Sequence, residues 1–264
     1  MTSRVTVLGC GHSGGTPLIG NDWRACDPTE KRNRRTRSSI YVRGEEGAFI
    51  IDTGPDFREQ INTNNINRLD AVIYSHHHAD HTGGIDDLRH WCRYRKLTDF
   101  PVYMTGETWA DTGKRYAHIL DQAPNDFYPI LIKTHILNQN DMYTSFRLGG
   151  IPVTIFEQDH KTCTSLGVRV GDFAYSIDML DLSARSQEVL KGVKTWLVDC
   201  ASYKEETPYV HANFATIRRL NDVIRAPNVF LTHMPPNMDY KKLCDELPPG
   251  YAPAYDGMTI EVTL

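Results

Sequence analysis

Ser75-His76-His77-His78-Ala79-Asp80-His81 is the stretch from which the rest of the chain is best read. As a pattern it is His-x-His-x-Asp-His, entered from the apolar run Ala71-Val72-Ile73-Tyr74 and left through Thr82-Gly83-Gly84. Such a run predicts a buried strand that ends in a loop. On an extended backbone His76 and His78, two residues apart, share one side, and His77 points away. Asp80 and His81 follow as the chain turns into a helix, where they can serve a second position close by. Four nitrogen or oxygen donors between positions 76 and 81 is ligand density for a metal site, and for two metals rather than one.

The 264 residues, 40% hydrophobic and 23% charged, suit a single large globular domain or two small ones, with ample core, and strand and helix patterns that interleave in both halves favour a single α/β domain spanning 1–264. A net charge of -4 and a pI near 6.2 argue against a general electrostatic grip on nucleic acid. No run approaches the ~18 apolar residues of a membrane span. The opening Met1-Thr2-Ser3-Arg4-Val5 lacks the apolar segment of a signal peptide. Six cysteines, at positions 10, 26, 92, 163, 200 and 244, show no paired spacing. Together these features predict a cytoplasmic protein with reduced thiols and no membrane partner.

Val5-Thr6-Val7-Leu8 reads as a short strand running into the Gly-rich loop Gly9-Cys10-Gly11-His12-Ser13-Gly14-Gly15-Thr16-Pro17. Glycines there let the backbone approach a ligand, or simply make a turn. No Gly-Lys-Ser/Thr follows, so this is not a Walker A loop. His12 could touch substrate, or be solvated. Residues 18–37 form an irregular insertion whose end, Lys31 to Arg37, holds five basic residues in seven. That run is either a solvated face or a phosphate clamp made by Arg34, Arg35 and Arg37, since guanidinium forks fit phosphate oxygens.

Strands follow at 39–42 and 48–51, joined by a Gly44-Glu45-Glu46-Gly47 turn, and another at 101–104. Helices are predicted over 55–64, 86–96, 107–120 and 212–224; Leu88, Trp91 and Cys92 make a core-facing stripe in the second. From Ile130 to Phe156 the pattern is β-rich. Later strands carry chemistry at their ends: Val153–Phe156 leads to His160, Phe173–Ile177 to Asp178, Thr195–Val198 to Asp199, and Asn228–Leu231 to His233. Functional residues collect in such loops, and packing alone does not explain metal-binding side chains at several separate strand ends.

The central stretch resembles the signature of the metallo-β-lactamase-fold hydrolases. Asp52, in Phe49-Ile50-Ile51-Asp52-Thr53-Gly54, resembles that family's strand-end Asp. The order His160, Asp178, His233 matches its remaining ligands. The resemblance implies an αββα sandwich, with two sheets face to face, helices outside and the site at one edge. It also implies that His76, His78 and His160 hold one metal, that Asp80, His81 and His233 hold a second, and that Asp178 bridges them. Two divalent ions per chain are expected, and imidazole plus carboxylate admits Mn²⁺ or Zn²⁺. Asp52 and Asp199 would orient ligating imidazoles, or cap a helix or turn.

Within that family the chain resembles the PhnP-type phosphodiesterases. The specific pieces are Leu8-Gly9-Cys10-Gly11 to Gly14-Gly15-Thr16-Pro17, Arg34-Arg35-Thr36-Arg37-Ser38-Ser39, Val198-Asp199-Cys200, Val210-His211, Val223-Ile224-Arg225 through Leu231-Thr232-His233, and Tyr255-Asp256-Gly257-Met258. The implied substrate is a small cyclic phosphodiester, phosphoribosyl 1,2-cyclic phosphate or a cyclic nucleotide, opened by water activated at the metals. His211 resembles the non-ligand His that serves the leaving oxygen, and it is assigned to catalysis together with Asp80. Relatives of this type often carry a structural zinc on closely spaced Cys and a later His. Here only Cys26 remains and Pro236 stands three beyond His233, so no structural zinc is expected. The competing activities are a tRNA 3′-processing nuclease, a glyoxalase II-type thioesterase and a non-catalytic nucleotide-binding relative. A small phosphorylated ribose or nucleotide is the expected partner, with no stable nucleic-acid partner; a homodimer is compatible with the sequence.

Overall fold

Apolar residues run almost unbroken along several early strands, and successive side chains go to opposite faces. In a computed structural model, which describes residues 2–121, 129–204 and 209–264, these strands are β1 (Thr2–Gly9), β2 (Ser39–Arg43), β3 (Ala48–Ile51), β4 (Ala71–Ile73), β5 (Phe100–Thr105) and β6 (Ile132–Leu137). Ile40, Val42, Phe49, Ile51, Ala71 and Ile73 point into the core shared with the other sheet. Their neighbours Tyr41, Ala48, Ile50, Val72 and Tyr74 point the other way, into a separate cluster. A side-chain period of two demands this division. The outer cluster is completed by α1 (Phe57–Thr63), α3 (Ile85–Tyr94) and α5 (Ala117–Leu120), which bring Phe57, Ile61, Leu88, Trp91, Cys92, Ile119 and Leu120. Between the first two of these lies the single turn α2 (Ala79–Thr82), and α4 (Gly106–Arg115) precedes α5.

The second sheet holds β7 (Ser145–Leu148), β8 (Ile151–Asp159), β9 (Thr164–Val170), β10 (Phe173–Ser176), β11 (Thr195–Asp199), β12 (Asn228–Thr232) and β13 (Tyr251–Pro253). It is covered by α6 (Ala184–Leu190), α7 (Phe214–Ile224) and α8 (Tyr240–Glu246), whose Leu190, Ile217, Leu220, Ile224 and Leu243 join the larger core. The last strand, β14 (Thr259–Thr263), returns to the first sheet beside β1. The orders are β14-β1-β2-β3-β4-β5-β6 and β13-β12-β11-β10-β9-β8-β7. The layers therefore run helix, sheet, sheet, helix, the αββα sandwich that the resemblance implies.

Topology places the site. β3, β4, β5 and β6 pair in parallel, as do β10, β11, β12 and β13. Parallel strands present all their carboxyl ends to one edge, where ligand sites of α/β sheets gather. Three expectations change in detail. The helix over 107–120 is two helices, because Tyr116 leaves helical geometry (φ -115°, ψ 30°). The helix expected from 212 starts at Phe214, because the Asn213 side chain caps it, accepting from Thr216 N at 2.8 Å. β9 and β14 are strands that the sequence patterns above leave out.

Candidate metal centre

Asp178 is the meeting point of the site. Its Oδ2 lies 3.4 Å from Nε2 of both His76 and His160, and its Oδ1 lies 3.2 Å from His81 Nε2 and 3.3 Å from His233 Nδ1. One carboxylate thus faces two sets of donors, one with each oxygen. His78 completes the first set, with donor atoms of His76, His78, His160 and Asp178 all within 4.8 Å of one another. Asp80, His81 and His233 form the second on the same criterion, and His81 Nε2 lies 3.1 Å from Asp80 Oδ2. All seven residues selected from the sequence pattern meet here.

Local backbone explains how strand ends deliver these groups. Asp52 follows β3, Asp178 lies two beyond β10, and His233 follows β12. Each has a positive φ, of 66°, 49° and 57° respectively. An L-residue in this left-handed region costs roughly 1 kcal/mol, a cost that clusters at functional sites. It swings each side chain sharply at the end of its strand.

A layer of further bonds sets the imidazole tautomers. His81 Nδ1–H donates to Asp52 Oδ2 at 2.7 Å. Ser75 N and Oγ donate to the two Asp52 oxygens, each at 2.7 Å. With its hydroxyl hydrogen so used, Ser75 Oγ accepts from His76 Nδ1–H at 3.0 Å. His160 Nδ1–H donates to the Val210 carbonyl at 3.0 Å. In all three rings the Nε2 lone pair is left for the site, as metal ligation requires. Ser75, Ser38 (Oγ 3.3 Å from His233 Nδ1) and the Val210 carbonyl are functional groups that the sequence did not single out. Ser75 carried a signal, since it directly precedes the His-rich run; Ser38 and Val210 lie in stretches that carry the family resemblance, but nothing in the sequence gave either a role.

The buried donors fit divalent ions. Nε2 of His76, Nε2 of His81 and Oδ1 of Asp178 are buried without a hydrogen-bond partner, a cost of roughly 1–3 kcal/mol each if nothing binds. Burial, and then the neighbouring His81, pushes His76 well below the usual imidazole range, and burial also lowers His78 and His160. Burial opposes charge on Asp178, but His233, His81 and His76 hold it ionised, well below the usual carboxylate range. Burial likewise opposes charge on His81, yet Asp178, Asp80 and Asp52 raise it well above. Three carboxylates thus surround His81, a concentration of negative charge that a divalent cation would offset.

His211 belongs to neither of these two sets, although a donor atom of its ring lies within 4.8 Å of donor atoms of Asp178 and His233. Its ring centroid lies 4.9 Å from His160 and 4.8 Å from His233. Its Nδ1–H donates to Asp199 Oδ2 at 2.8 Å, an oxygen that also accepts from Met179 N at 2.9 Å. Burial pulls its pKa down, but the Asp199 carboxylate more than offsets this and lifts it to about 9. With 21% of its side chain exposed, it is more open to solvent than His233.

The basic run does not assemble a phosphate clamp. Arg35 is buried, and its guanidinium donates to Asn33 Oδ1 at 3.2 Å, Met238 O at 2.5 Å and Pro235 O at 3.3 Å. Arg37 pairs with Asp56, donating from Nη1 to both carboxylate oxygens at 2.8 and 3.0 Å. Arg34 is exposed and lies 5.2 Å over the Trp23 ring. The Gly-rich loop has a similar structural use: a Cβ on Gly9 would sit 2.1 Å from Arg37 O, so glycine there lets backbone meet backbone. His12 lies beside the site, its N–H donating to Met234 O at 3.3 Å and its Nδ1 accepting from Gly14 N at 3.3 Å. Burial, and then His233, lowers it to about 4, so the ring is neutral.

Among the described residues no helix is long and apolar enough to cross a membrane. The chain is 30% identical over 260 residues to an octanoyltransferase of Porphyromonas gingivalis, an alignment that covers 97% of this chain and 51% of that protein. It thus spans about half the length of this curated relative. A diphosphatase of the PhnP family is 28% identical and superposes with a TM-score of 0.87, with 99% of this chain and 97% of that one covered. The metallo-β-lactamase-fold protein YhfI of Bacillus subtilis superposes at 0.74 with 20% identity, covering 98% and 99%. Residues 48–234, which include every residue of both donor sets, match the β-lactamase superfamily domain. The chain belongs to the β-lactamase superfamily and has the metallo-β-lactamase fold.

Proposed function

We propose that this protein is a hydrolase that cleaves a small cyclic phosphodiester of a ribose phosphate or nucleotide, with two divalent ions, Mn²⁺ or Zn²⁺, as cofactors. His76, His78, His160 and Asp178 would hold one ion, and Asp80, His81, His233 and Asp178 the other. When bound, such a pair lowers the pKa of water and offsets phosphate charge. The chain's own contribution to bond breaking is His211. Its Nδ1 is committed to Asp199, so Nε2 carries the proton available to a departing sugar oxygen. Asp199 fixes the ring and favours its charged form; Asp52 and Ser75 hold His81 and His76 in their tautomers. Asp80 keeps its carboxylate ionised beside His81 and serves catalysis as a ligand.

The observation that carries this proposal is the Asp199–His211 pair, a proton donor set beside both ligand sets. A thioester releases a thiolate that needs little protonation, whereas a sugar alkoxide needs it. The net charge of -4 favours a small substrate over a nucleic-acid polymer. A small diphosphate is the second candidate, favoured by the 28%-identical diphosphatase.

The test is turnover by the Mn²⁺-loaded protein of a panel: phosphoribosyl 1,2-cyclic phosphate, 2′,3′- and 3′,5′-cyclic nucleotides, a nucleoside diphosphate, a tRNA precursor and S-lactoylglutathione. Cyclic phosphates should be preferred. Preference for the tRNA or the thioester would overturn the proposal, and preference for the diphosphate would replace the substrate while keeping the site.

A further inference from the structure

Lys161 sits one residue beyond His160, in a tight turn. Its N–H donates to Asp159 Oδ1 at 2.7 Å, and Thr162 N–H donates to His160 O at 2.6 Å. Its φ is +58°, in the left-handed region that glycine enters without strain. The turn accounts for the backbone conformation, but a glycine would make the same turn more cheaply.

The Lys161 side chain is exposed, and its Nζ stands 3.6 Å from the centroid of the Tyr209 ring. Tyr209 is 75% exposed. It precedes Val210, whose carbonyl orients His160, and His211, the proposed acid. The Lys161–Tyr209 pair thus joins the two segments that deliver His160 and His211, at the rim of the site. Among the described residues Lys161 forms no ion pair. It is also the one cation among the described residues lining a neighbouring cavity of about 450 Å³, alongside the carboxylates of Glu107, Glu157 and Asp159.

We propose that Lys161, steadied by Tyr209, receives a second anionic group of the substrate, such as the distal phosphate of a ribose phosphate ester. This rests on the phosphoester hydrolysis proposed above. An ammonium over an aromatic face is held by the ring quadrupole while its N–H donors remain available to phosphate oxygens. The neighbouring carboxylates make Lys161 selective in effect: without it, that side of the rim only repels an anion. Arg35 and Arg37, bound to protein partners, leave this role open.

The test compares a ribose 1,2-cyclic phosphate with and without a 5-phosphate, using Mn²⁺-loaded wild type and Lys161→Gly, Lys161→Arg and Tyr209→Ala. Lys161→Gly should raise KM roughly tenfold for the 5-phosphorylated ester, leave KM for the other ester and both kcat values unchanged, and keep or slightly raise Tm. Lys161→Arg should restore most of the affinity, and Tyr209→Ala should reproduce part of the loss. Equal KM changes on both esters, or none, would overturn the subsite. If wild type cleaves neither these esters nor the cyclic nucleotides, the proposed function fails, and calorimetry with ribose 5-phosphate still decides the subsite: binding weakened about tenfold by Lys161→Gly supports it, and unchanged binding rejects it.

Discussion

Asp199 shows how one buried carboxylate sets the chemistry of its neighbour. Oδ2 holds both Met179 N, next to Asp178, and the His211 ring, so the acid and the shared ligand are placed by the same atom. If His211 protonates the leaving oxygen, His211→Ala should lower kcat on the order of 10²–10⁴ for a sugar ester while retaining both metals. The loss should shrink for bis(p-nitrophenyl) phosphate, whose leaving group needs no proton; equal losses on both esters would contradict the role. The same pair makes a stability prediction. Burial opposes the charge on His211, but Asp199 raises its folded-state pKa to about 9. A raised histidine contributes stability that is complete below its unfolded value near 6.5 and lost as pH climbs through the folded one. In EDTA-treated protein, His211→Gln should therefore cost more at about pH 6 than at about pH 10, measured from urea midpoints. Equal costs at the two pH values would mean that the ring carries no charge in the fold.

The elements differ in how openly the sequence announced them. Continuous apolar runs such as Phe49–Ile51 and Ala71–Ile73 declared their strands but not which side faces which core, because both faces are buried, each in its own cluster. The clustering of donors was legible for a related reason: each stands at the end of an apolar run, and parallel strands bring such ends together. β9 was less legible, since it is buried almost throughout and interrupted by Gly167, where a Cβ would lie 2.2 Å from the Phe156 ring. β14 had a readable alternation, Thr259-Ile260-Glu261-Val262-Thr263, that follows from its edge position beside β1. The basic insertion was illegible in principle. A run of arginines reads as solvated, and the burial of Arg35 depends on carbonyls of Pro235 and Met238, about two hundred positions away. This gives an element-scale prediction. Arg35→Met removes the donor to the Met238 carbonyl, while Asn33 Oδ1 keeps Tyr240 N and the Pro235 carbonyl keeps Met238 N, and should cost roughly 1–3 kcal/mol in urea denaturation. Arg34→Ala, which loses one exposed contact over Trp23, should cost less than about 0.5 kcal/mol. Equal costs would show that the insertion is not anchored through Arg35.

At the scale of the whole molecule, the site is where the two sheets are joined. His76, His78, Asp80 and His81 follow β4 in the first sheet, whereas His160, Asp178 and His233 follow β8, β10 and β12 in the second. Each donor set draws on both sheets, and Asp178, a member of the first, reaches His81 and His233 of the second with its other oxygen. An ion bound by either set therefore ties one half of the sandwich to the other and is lost when they separate. Binding to the folded state alone stabilises by about 4 kcal/mol at a thousandfold excess over Kd, which for a chain of this size is a Tm shift on the order of 10 °C. Elemental analysis after mild dialysis should find about two ions per chain, one for each set. Chelation should then lower Tm by that order, and Mn²⁺ should restore it. Asp178→Ala should abolish most of the shift, because neither set keeps its shared oxygen. His77→Ala should leave the shift intact, since His77 belongs to neither set. A shift that survives Asp178→Ala undiminished would place the stabilising ion somewhere other than between the sheets.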